Sequence, residues 1–157
     1  MPGLPGWLVF LHIGSMFVAV TLSYGAELLF LVALRSGLTQ NVRAVIVAVT
    51  PTVRFIPVFY GLGALFGVLT AIAAGFNLFA PWLLIAYVLF IVLIGVGAGI
   101  VGPHLQRVGA MVTGLPDGPL PPEVRSAATA GGYVWISILD FVGLFVIIFD
   151  MVLKPFS

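Results

Sequence analysis

The sequence predicts an all-α integral membrane protein: a bundle of four transmembrane helices with a short interfacial helix between helices 1 and 2. Hydrophobic residues make up 62% of the 157 residues and charged residues only 7%, whereas a soluble globular chain carries about 25% charged residues. Four apolar stretches, at about 7–34, 55–76, 81–101 and 133–153, are each long enough to cross a bilayer, which takes about 20 residues. We therefore expect a single membrane domain over residues 1–157.

The first span, residues 7–34, is apolar apart from His12 and Glu27. It does not resemble a cleaved signal peptide, because no basic segment precedes it and its apolar run is too long. The connection that follows contains an apolar patch at residues 44–49. That patch predicts a short interfacial helix, or a helical extension, lying near the lipid headgroups.

The second and third spans are predicted to form a helical hairpin. No residue between Arg54 and Arg107 carries a formal charge, and this stretch is too long for one span. Gly75 is suited to end a helix, Asn77 favours a turn, and Pro81 is suited to begin the next helix. The two spans should therefore be joined by a tight turn.

The fourth span, residues 133–153, is apolar apart from Asp140 and Asp150. Residues 113–122 precede it and are rich in Pro and Gly, which excludes a regular helix or strand there.

The basic residues predict the orientation. Five of them border the two longer connections, on one side of the bilayer: Arg35, Arg43, Arg54, Arg107 and Arg125. Only Lys154 lies on the other side. Because positive residues are retained in the cytoplasm, we expect a multi-pass protein of a bacterial inner membrane with both termini outside.

Polar residues inside the spans are the candidate site residues, because an ionisable group in a bilayer needs a partner. In the first span they follow helical spacing at His12, Met16, Ser23 and Glu27. In the last span a similar stripe contains Tyr133, Ser137, Asp140 and Lys154, with Asp150 on its flank. The two stripes are expected to face each other. Glu27 is expected to pair with Arg54, which enters the membrane at a similar depth.

His12 supports two interpretations. In the first it is an axial haem ligand or, with Met16 at i+4, a copper ligand. In the second, which we favour, it is a neutral histidine hydrogen-bonded to a group of the last span such as Asp150 or Lys154. No cofactor is therefore predicted, and haem b or copper is the alternative. His104 lies at the opposite end of the bundle and is too distant to share a haem with His12.

Two glycine pairs predict close helix packing. Gly63 and Gly67 lie four residues apart in the second span, and Gly95 and Gly99 lie four apart in the third. Such small residues let helix backbones approach closely in a membrane.

Several short motifs occur in a recognisable order: Leu11-His12, Gly61-Leu62-Gly63, Pro81-Trp82, residues 102–107 (GPHLQR), residues 122–125 (PEVR) and residues 150–155 (DMVLKP). In their order and spacing the whole chain resembles a bacterial family of four-span integral membrane proteins of unknown function. That resemblance implies the fold and carries no established activity.

Leu11-His12 is also similar to the first helix of copper-resistance D-type membrane proteins and of the four-helix, haem-binding protoporphyrinogen oxidases. This second resemblance implies a haem-binding role for His12. The Trp-x-Gly-Gly that commonly follows that histidine is absent, and residues 21–25 stand near its place.

Composition excludes several functions. A net charge of +1 offers no surface for nucleic acid, and with no cysteine there is no thiolate site. We expect a non-catalytic accessory or structural subunit of a larger bioenergetic membrane complex, with lipid and other subunits or a second copy as partners. The alternatives are an electron-transfer protein that uses His12, and a proton or metal permease component built around Glu27, Asp140 and Asp150.

Overall fold

The computed structural model describes residues 3–155 and confirms the all-α membrane fold. Within that range the chain contains no β-strand; one isolated bridge joins Leu38 to Pro119. The elements are α1 (Leu4–Ser36), α2 (Thr39–Val53), α3 (Ile56–Ala73), α4 (Pro81–Val96), a π-helical segment (Gly97–Val101), α5 (Gly102–Val112), α6 (Pro122–Thr129), a 3₁₀ turn (Ala130–Gly132) and α7 (Tyr133–Leu153).

Four helical stretches are long and apolar enough to cross a membrane. They are Leu4–Ser36, Ile56–Ala73, Pro81–Val112 and Pro122–Leu153. The protein is therefore a multi-pass membrane protein. The first stretch has 33 residues and is about 50 Å long at 1.5 Å per residue, so it extends beyond a hydrocarbon core about 30 Å thick.

The predicted hairpin between the second and third spans is present. Gly75 adopts a left-handed conformation (φ 74°) just after α3. Asn77 Oδ1 accepts a hydrogen bond of 3.0 Å from the Phe79 N–H, and Pro81 begins α4. Each residue thus has the conformation that its chemistry favours.

The third span is longer than predicted. We expected it to end at Val101, whereas the helix continues to Val112. Pro103 lacks an N–H and its ring crowds the preceding turn of a helix. The chain absorbs this in the π-helical segment, where the Gly102 N–H reaches the Gly97 carbonyl. The proline therefore changes the helical register without ending the span.

The interfacial helix is present as α2, a separate helix, because Gly37 (φ 68°) ends α1. Residues 113–121 are irregular, as predicted, and pack against α2: the Thr39 N–H donates to Gly118 O at 2.9 Å. The short helix α6 was not predicted. We call the end of the bundle formed by α2, residues 113–121 and α6 the arginine-rich end.

The four spans form two close pairs. α1 packs along α3, and α4 packs along α7. The backbones of α1 and α7 lie farther apart, and long polar side chains bridge the space between them. The candidate site lies at this bridge.

Candidate functional site

Two hydroxyl groups connect α1 to α7 through hydrogen bonds. Tyr24 Oη donates to Asp140 Oδ2 at 2.8 Å, and Ser137 Oγ donates to Glu27 Oε1. On each helix the two residues are three positions apart, which places them on one face. The earlier residue on α1, Tyr24, pairs with the later residue on α7, Asp140, and Glu27 pairs with Ser137. This order is the one expected for antiparallel helices. The predicted meeting of the two polar stripes is found for Glu27 and Ser137, whereas Tyr24 lies outside the predicted stripe. We call these four residues the α1–α7 polar cluster.

Both carboxyl groups of the cluster are buried. Glu27 is 7% exposed and Asp140 is 8% exposed. Asp140 Oδ1 is enclosed and has no hydrogen-bond partner among residues 3–155. A buried polar atom without a partner destabilises a fold by about 1–3 kcal/mol. The position of Asp140 is therefore not explained by packing alone.

Asp140 follows the first residue of α7, Tyr133, by seven positions. This corresponds to about 10 Å of helix rise. Glu27 is similarly placed, eight residues before Arg35. Both carboxyls therefore lie in the half of the bundle next to the arginine-rich end.

Aromatic and imidazole rings continue the cluster toward the arginine-rich end. Tyr133 is fully buried, and its ring contacts the Phe30 ring of α1 edge-on at 6.3 Å. The His104 ring stacks on the other side of Tyr133, with ring centroids 4.0 Å apart. His104 Nε2 donates to the Ala128 carbonyl at 2.9 Å. From the sequence, His104 was placed only at the end of a helix. In the structure its ring lies beside Tyr133, next to the α1–α7 polar cluster.

A further hydrogen bond joins α1 to α3. Ser23 Oγ donates to the Ala19 carbonyl of its own helix at 2.8 Å. Its oxygen therefore accepts from Tyr60 Oη, which lies 3.0 Å away. Helical spacing identified Ser23 in the sequence, but neither Tyr24 nor Tyr60. The only available signal was that Tyr24 precedes Glu27 by three residues on the same helical face.

The predicted ion pair between Glu27 and Arg54 is wrong. Arg54 lies between α2 and α3, and its guanidinium is over the Phe55 ring, 4.9 Å from the centroid. Across residues 3–155 the only ion pair joins Arg43 to Asp117 at the arginine-rich end. Glu27 points toward α7 instead, because the Ser137 hydroxyl lies at the same depth in the bundle as Glu27 and donates a hydrogen bond to it.

His12 and Met16 pack against the glycines of α3. His12 Nδ1 lies 2.7 Å from Gly63 O and therefore donates to that carbonyl. A Cβ atom on Gly67 would lie 2.9 Å from the His12 ring, and one on Gly63 would lie 2.8 Å from Met16 Sδ. The predicted hydrogen bond from His12 to the last span is thus wrong, since the acceptor belongs to α3.

The glycine pairs differ in their role. Gly63 and Gly67 allow α1 to approach α3, as predicted. Around Gly95 and Gly99 a Cβ would meet nothing within 4 Å, so the predicted close packing at this second pair is wrong. In the fourth span it is Gly143 that approaches α4, at Leu93.

Asp150 and Lys154 lie at the opposite end of the bundle. Asp150 is 3% exposed, and neither carboxyl oxygen has a hydrogen-bond partner within the described part of the chain. Lys154 Nζ lies 4.2 Å from the Phe76 ring centroid and 5.3 Å from that of Trp82, an arrangement typical of cation–π contacts. Ten residues, about 15 Å of helix, separate Asp150 from Asp140, so the two are not parts of one cluster.

The side chains present offer limited means of holding a metal. Residues 3–155 contain no group of three His, Cys, Asp or Glu side chains close enough to share an ion. The hydrogen bond from His12 Nδ1 to Gly63 O leaves Nε2 as the nitrogen able to act as a ligand, an arrangement that ligating histidines commonly show.

Comparisons of the chain with protein-family models, with curated proteins and with solved structures found no match. The geometry of the polar cluster is therefore the basis of the functional argument.

Proposed function

We propose that this protein transfers protons within the membrane, with the α1–α7 polar cluster as the group of side chains that takes up and releases them. One observation carries the proposal: two buried carboxyls on separate helices, Glu27 and Asp140, are each hydrogen-bonded to a hydroxyl of the other helix. Buried Asp, Glu and His side chains are the usual components of proton relays in membrane proteins.

The route begins at the arginine-rich end. His104 and Tyr133 lie between that end and the cluster, with their rings stacked. Tyr133 Oη is buried without a hydrogen-bond partner among the described residues. This hydroxyl belongs to the residue one turn of α7 before Ser137, and we therefore place the entry of protons to the cluster beside Tyr133.

The route reaches only part of the way across. Beyond Asp140 the next acid on α7 is Asp150, about 15 Å farther along the helix. We infer that a second acceptor comes from another polypeptide. This supports an accessory role, in which the chain is a small non-catalytic subunit of a larger bioenergetic complex in a bacterial inner membrane. The arginine-rich end would then face the cytoplasm and both termini the outside.

Infrared difference spectroscopy of the purified full chain between acidic and alkaline pH tests the proposal. The expected result is a C=O band of a buried carboxyl, resolved from the bands of solvent-exposed carboxyls, that changes with pH and shifts in D₂O. Both the Asp140→Asn and the Glu27→Gln variants should alter that band. Asp117→Asn, which changes an exposed loop carboxyl, is the matched control and should leave it unchanged.

The proposal fails if folded Asp140→Asn and Glu27→Gln proteins both show the wild-type band. Folding is checked separately by helical content and by elution as a single species in detergent. Reconstitution of the isolated chain should give no proton flux across vesicles, because the route is incomplete. A sustained flux would contradict the accessory role and favour a complete permease.

A second candidate function is electron transfer with haem b or copper bound through His12. It is favoured by the hydrogen bond from Nδ1 to Gly63 O and by the resemblance of Leu11-His12 to haem-binding membrane proteins. An optical spectrum of protein purified from cells supplied with haem tests it. A Soret band that disappears in His12→Ala supports this function, and its absence in the wild-type protein rejects the haem form.

A further inference from the structure

A groove runs along the lipid-facing side of the bundle between the third span and α7. Two cavities of about 260 and 250 Å³ make up this groove. They are contiguous, because Ile100 of the π-helical segment and Ile136 of α7 line both. Three residues of the proposed proton route, His104, Tyr133 and Asp140, line the inner wall of the groove.

The inner part of the groove is apolar. Its walls are Val92, Leu93, Val96 and Leu139, and at one point it reaches Asp140. The groove is closed below by the approach of α7 to α4, where a Cβ on Gly143 would lie 2.6 Å from Leu93. It is therefore a slot with one closed end in the membrane interior.

The outer part is polar and basic. His104 and Arg107 line it together with Gly99, where a side chain would meet nothing within 4 Å. Arg107 is exposed and has no carboxylate within 4.0 Å among residues 3–155. The groove thus has a cation beside an open cavity at its surface end, and an apolar slot behind it. This arrangement is complementary to a lipid with an anionic headgroup and a hydrocarbon tail.

We propose that the groove binds an anionic phospholipid, with the phosphate at Arg107 and one acyl chain in the apolar slot. A guanidinium binds phosphate through two parallel hydrogen bonds, which gives it both strength and orientation. From Arg107 to Val92 the helix rises about 22 Å, and one leaflet of hydrocarbon is about 15 Å thick. A chain of ordinary length therefore fits, and it covers the lateral side of Asp140.

Native mass spectrometry of the full chain in detergent tests this proposal, with phosphatidylglycerol and phosphatidylcholine of identical chains at equal concentration. The wild-type protein should retain phosphatidylglycerol with about fivefold preference. That ratio corresponds to about 1 kcal/mol, the usual contribution of one basic side chain near anionic lipid. Arg107→Gln should remove the preference, whereas Arg35→Gln, which removes an equal charge outside the groove, should keep it.

A second pair of variants tests the slot itself. Gly99→Leu fills the outer cavity without changing the charge and should reduce phosphatidylglycerol retention. Gly61→Leu is the matched control, because a side chain at this α3 glycine also meets nothing within 4 Å. The proposal is overturned if Arg107→Gln or Gly99→Leu retains the wild-type preference. Equal retention of a fatty acid would reject phosphate as the recognised group, and retention of inorganic phosphate alone would reject the need for a chain.

Discussion

At the scale of single residues, the hydrogen bonds of the α1–α7 polar cluster supply partners for two carboxyl groups within the membrane. Glu27 receives the Ser137 hydroxyl and Asp140 receives the Tyr24 hydroxyl. Hydrogen bonds between membrane helices contribute about 0.6 kcal/mol on average and up to about 1.7 kcal/mol. Such modest values still favour one pairing over another, because lipid offers no competing partner.

Glu27 and Ser137 should be energetically coupled. In a double-mutant cycle with Glu27→Ala and Ser137→Ala, which removes both the acceptor and the donor, we expect a coupling free energy of about 0.6–1.7 kcal/mol. Unfolding of the purified protein in mixed detergent gives the four free energies. The cycle with Glu27→Gln and Arg54→Gln is the control and should give a value near zero. Strong coupling in that control would restore the ion pair that the structure excludes.

Tyr24→Phe should lower the free energy of unfolding by a similar amount, about 0.6–1.7 kcal/mol, because it leaves Asp140 without its hydroxyl donor. The matched control is Tyr87→Phe, since the Tyr87 hydroxyl makes no hydrogen bond within the described chain. Thermal unfolding in detergent measures both variants. Equal effects would show that the Tyr24 hydroxyl has no specific role.

Asp140→Asn should fold with nearly wild-type stability, because the amide oxygen of Asn can accept the same hydrogen bond from Tyr24. The measurement is thermal unfolding in detergent alongside the wild-type protein. A variant that failed to fold would show that the charge or the second carboxyl oxygen of Asp140 is structurally required.

At the scale of elements, the sequence was informative where one residue type determines the local backbone. Gly75, Asn77 and Pro81 predicted the hairpin correctly. The third span was predicted to end too early, at residue 101, because a π-helical turn absorbs Pro103 and the formation of such a turn depends on the surrounding helices. The partner of Glu27 was also missed. The spacing of residues along α1 predicts how deep Glu27 lies and on which face of the helix, but not which neighbouring helix packs against that face.

The α1–α3 contact supplies a prediction at this scale. Gly67→Ala should destabilise the protein by about 1–3 kcal/mol, because the new methyl group would overlap the His12 ring. Gly61→Ala is the control on the same helix, where the methyl group meets open space, and it should be neutral or slightly stabilising. Unfolding in mixed detergent measures both. Recovery of stability in the double variant Gly67→Ala/His12→Ala would confirm the steric cause.

At the scale of the whole molecule, two close helix pairs are joined by a polar bridge and closed at one end by short amphipathic helices. Phe30 and Tyr133 belong to an apolar cluster that packs α1, α2, α5, α6 and α7 together at the arginine-rich end. The pattern of apolar stretches predicted the number of spans. It could not predict the pairing, because in lipid any two apolar helices satisfy the same pattern.

The orientation of the chain can be tested directly, because the sequence contains no cysteine. Asp117→Cys, in the exposed loop of the arginine-rich end, should react with a membrane-impermeant maleimide only from the cytoplasmic side. Ser157→Cys should react only from the outside. Labelling of intact cells and of inverted vesicles distinguishes the two sides. The reverse pattern would contradict the distribution of arginines as the determinant of topology.

The spacing of the bridge has a consequence for assembly. Tyr24 and Glu27 meet Asp140 and Ser137 at a single antiparallel alignment of α1 and α7. If α1 were inserted one turn too deep, a displacement of about 5.4 Å, both hydrogen bonds would be lost together and two acids would face hydrocarbon. The same side chains that connect α1 to α7 in the folded protein therefore also favour a single depth of insertion of α1 relative to α7.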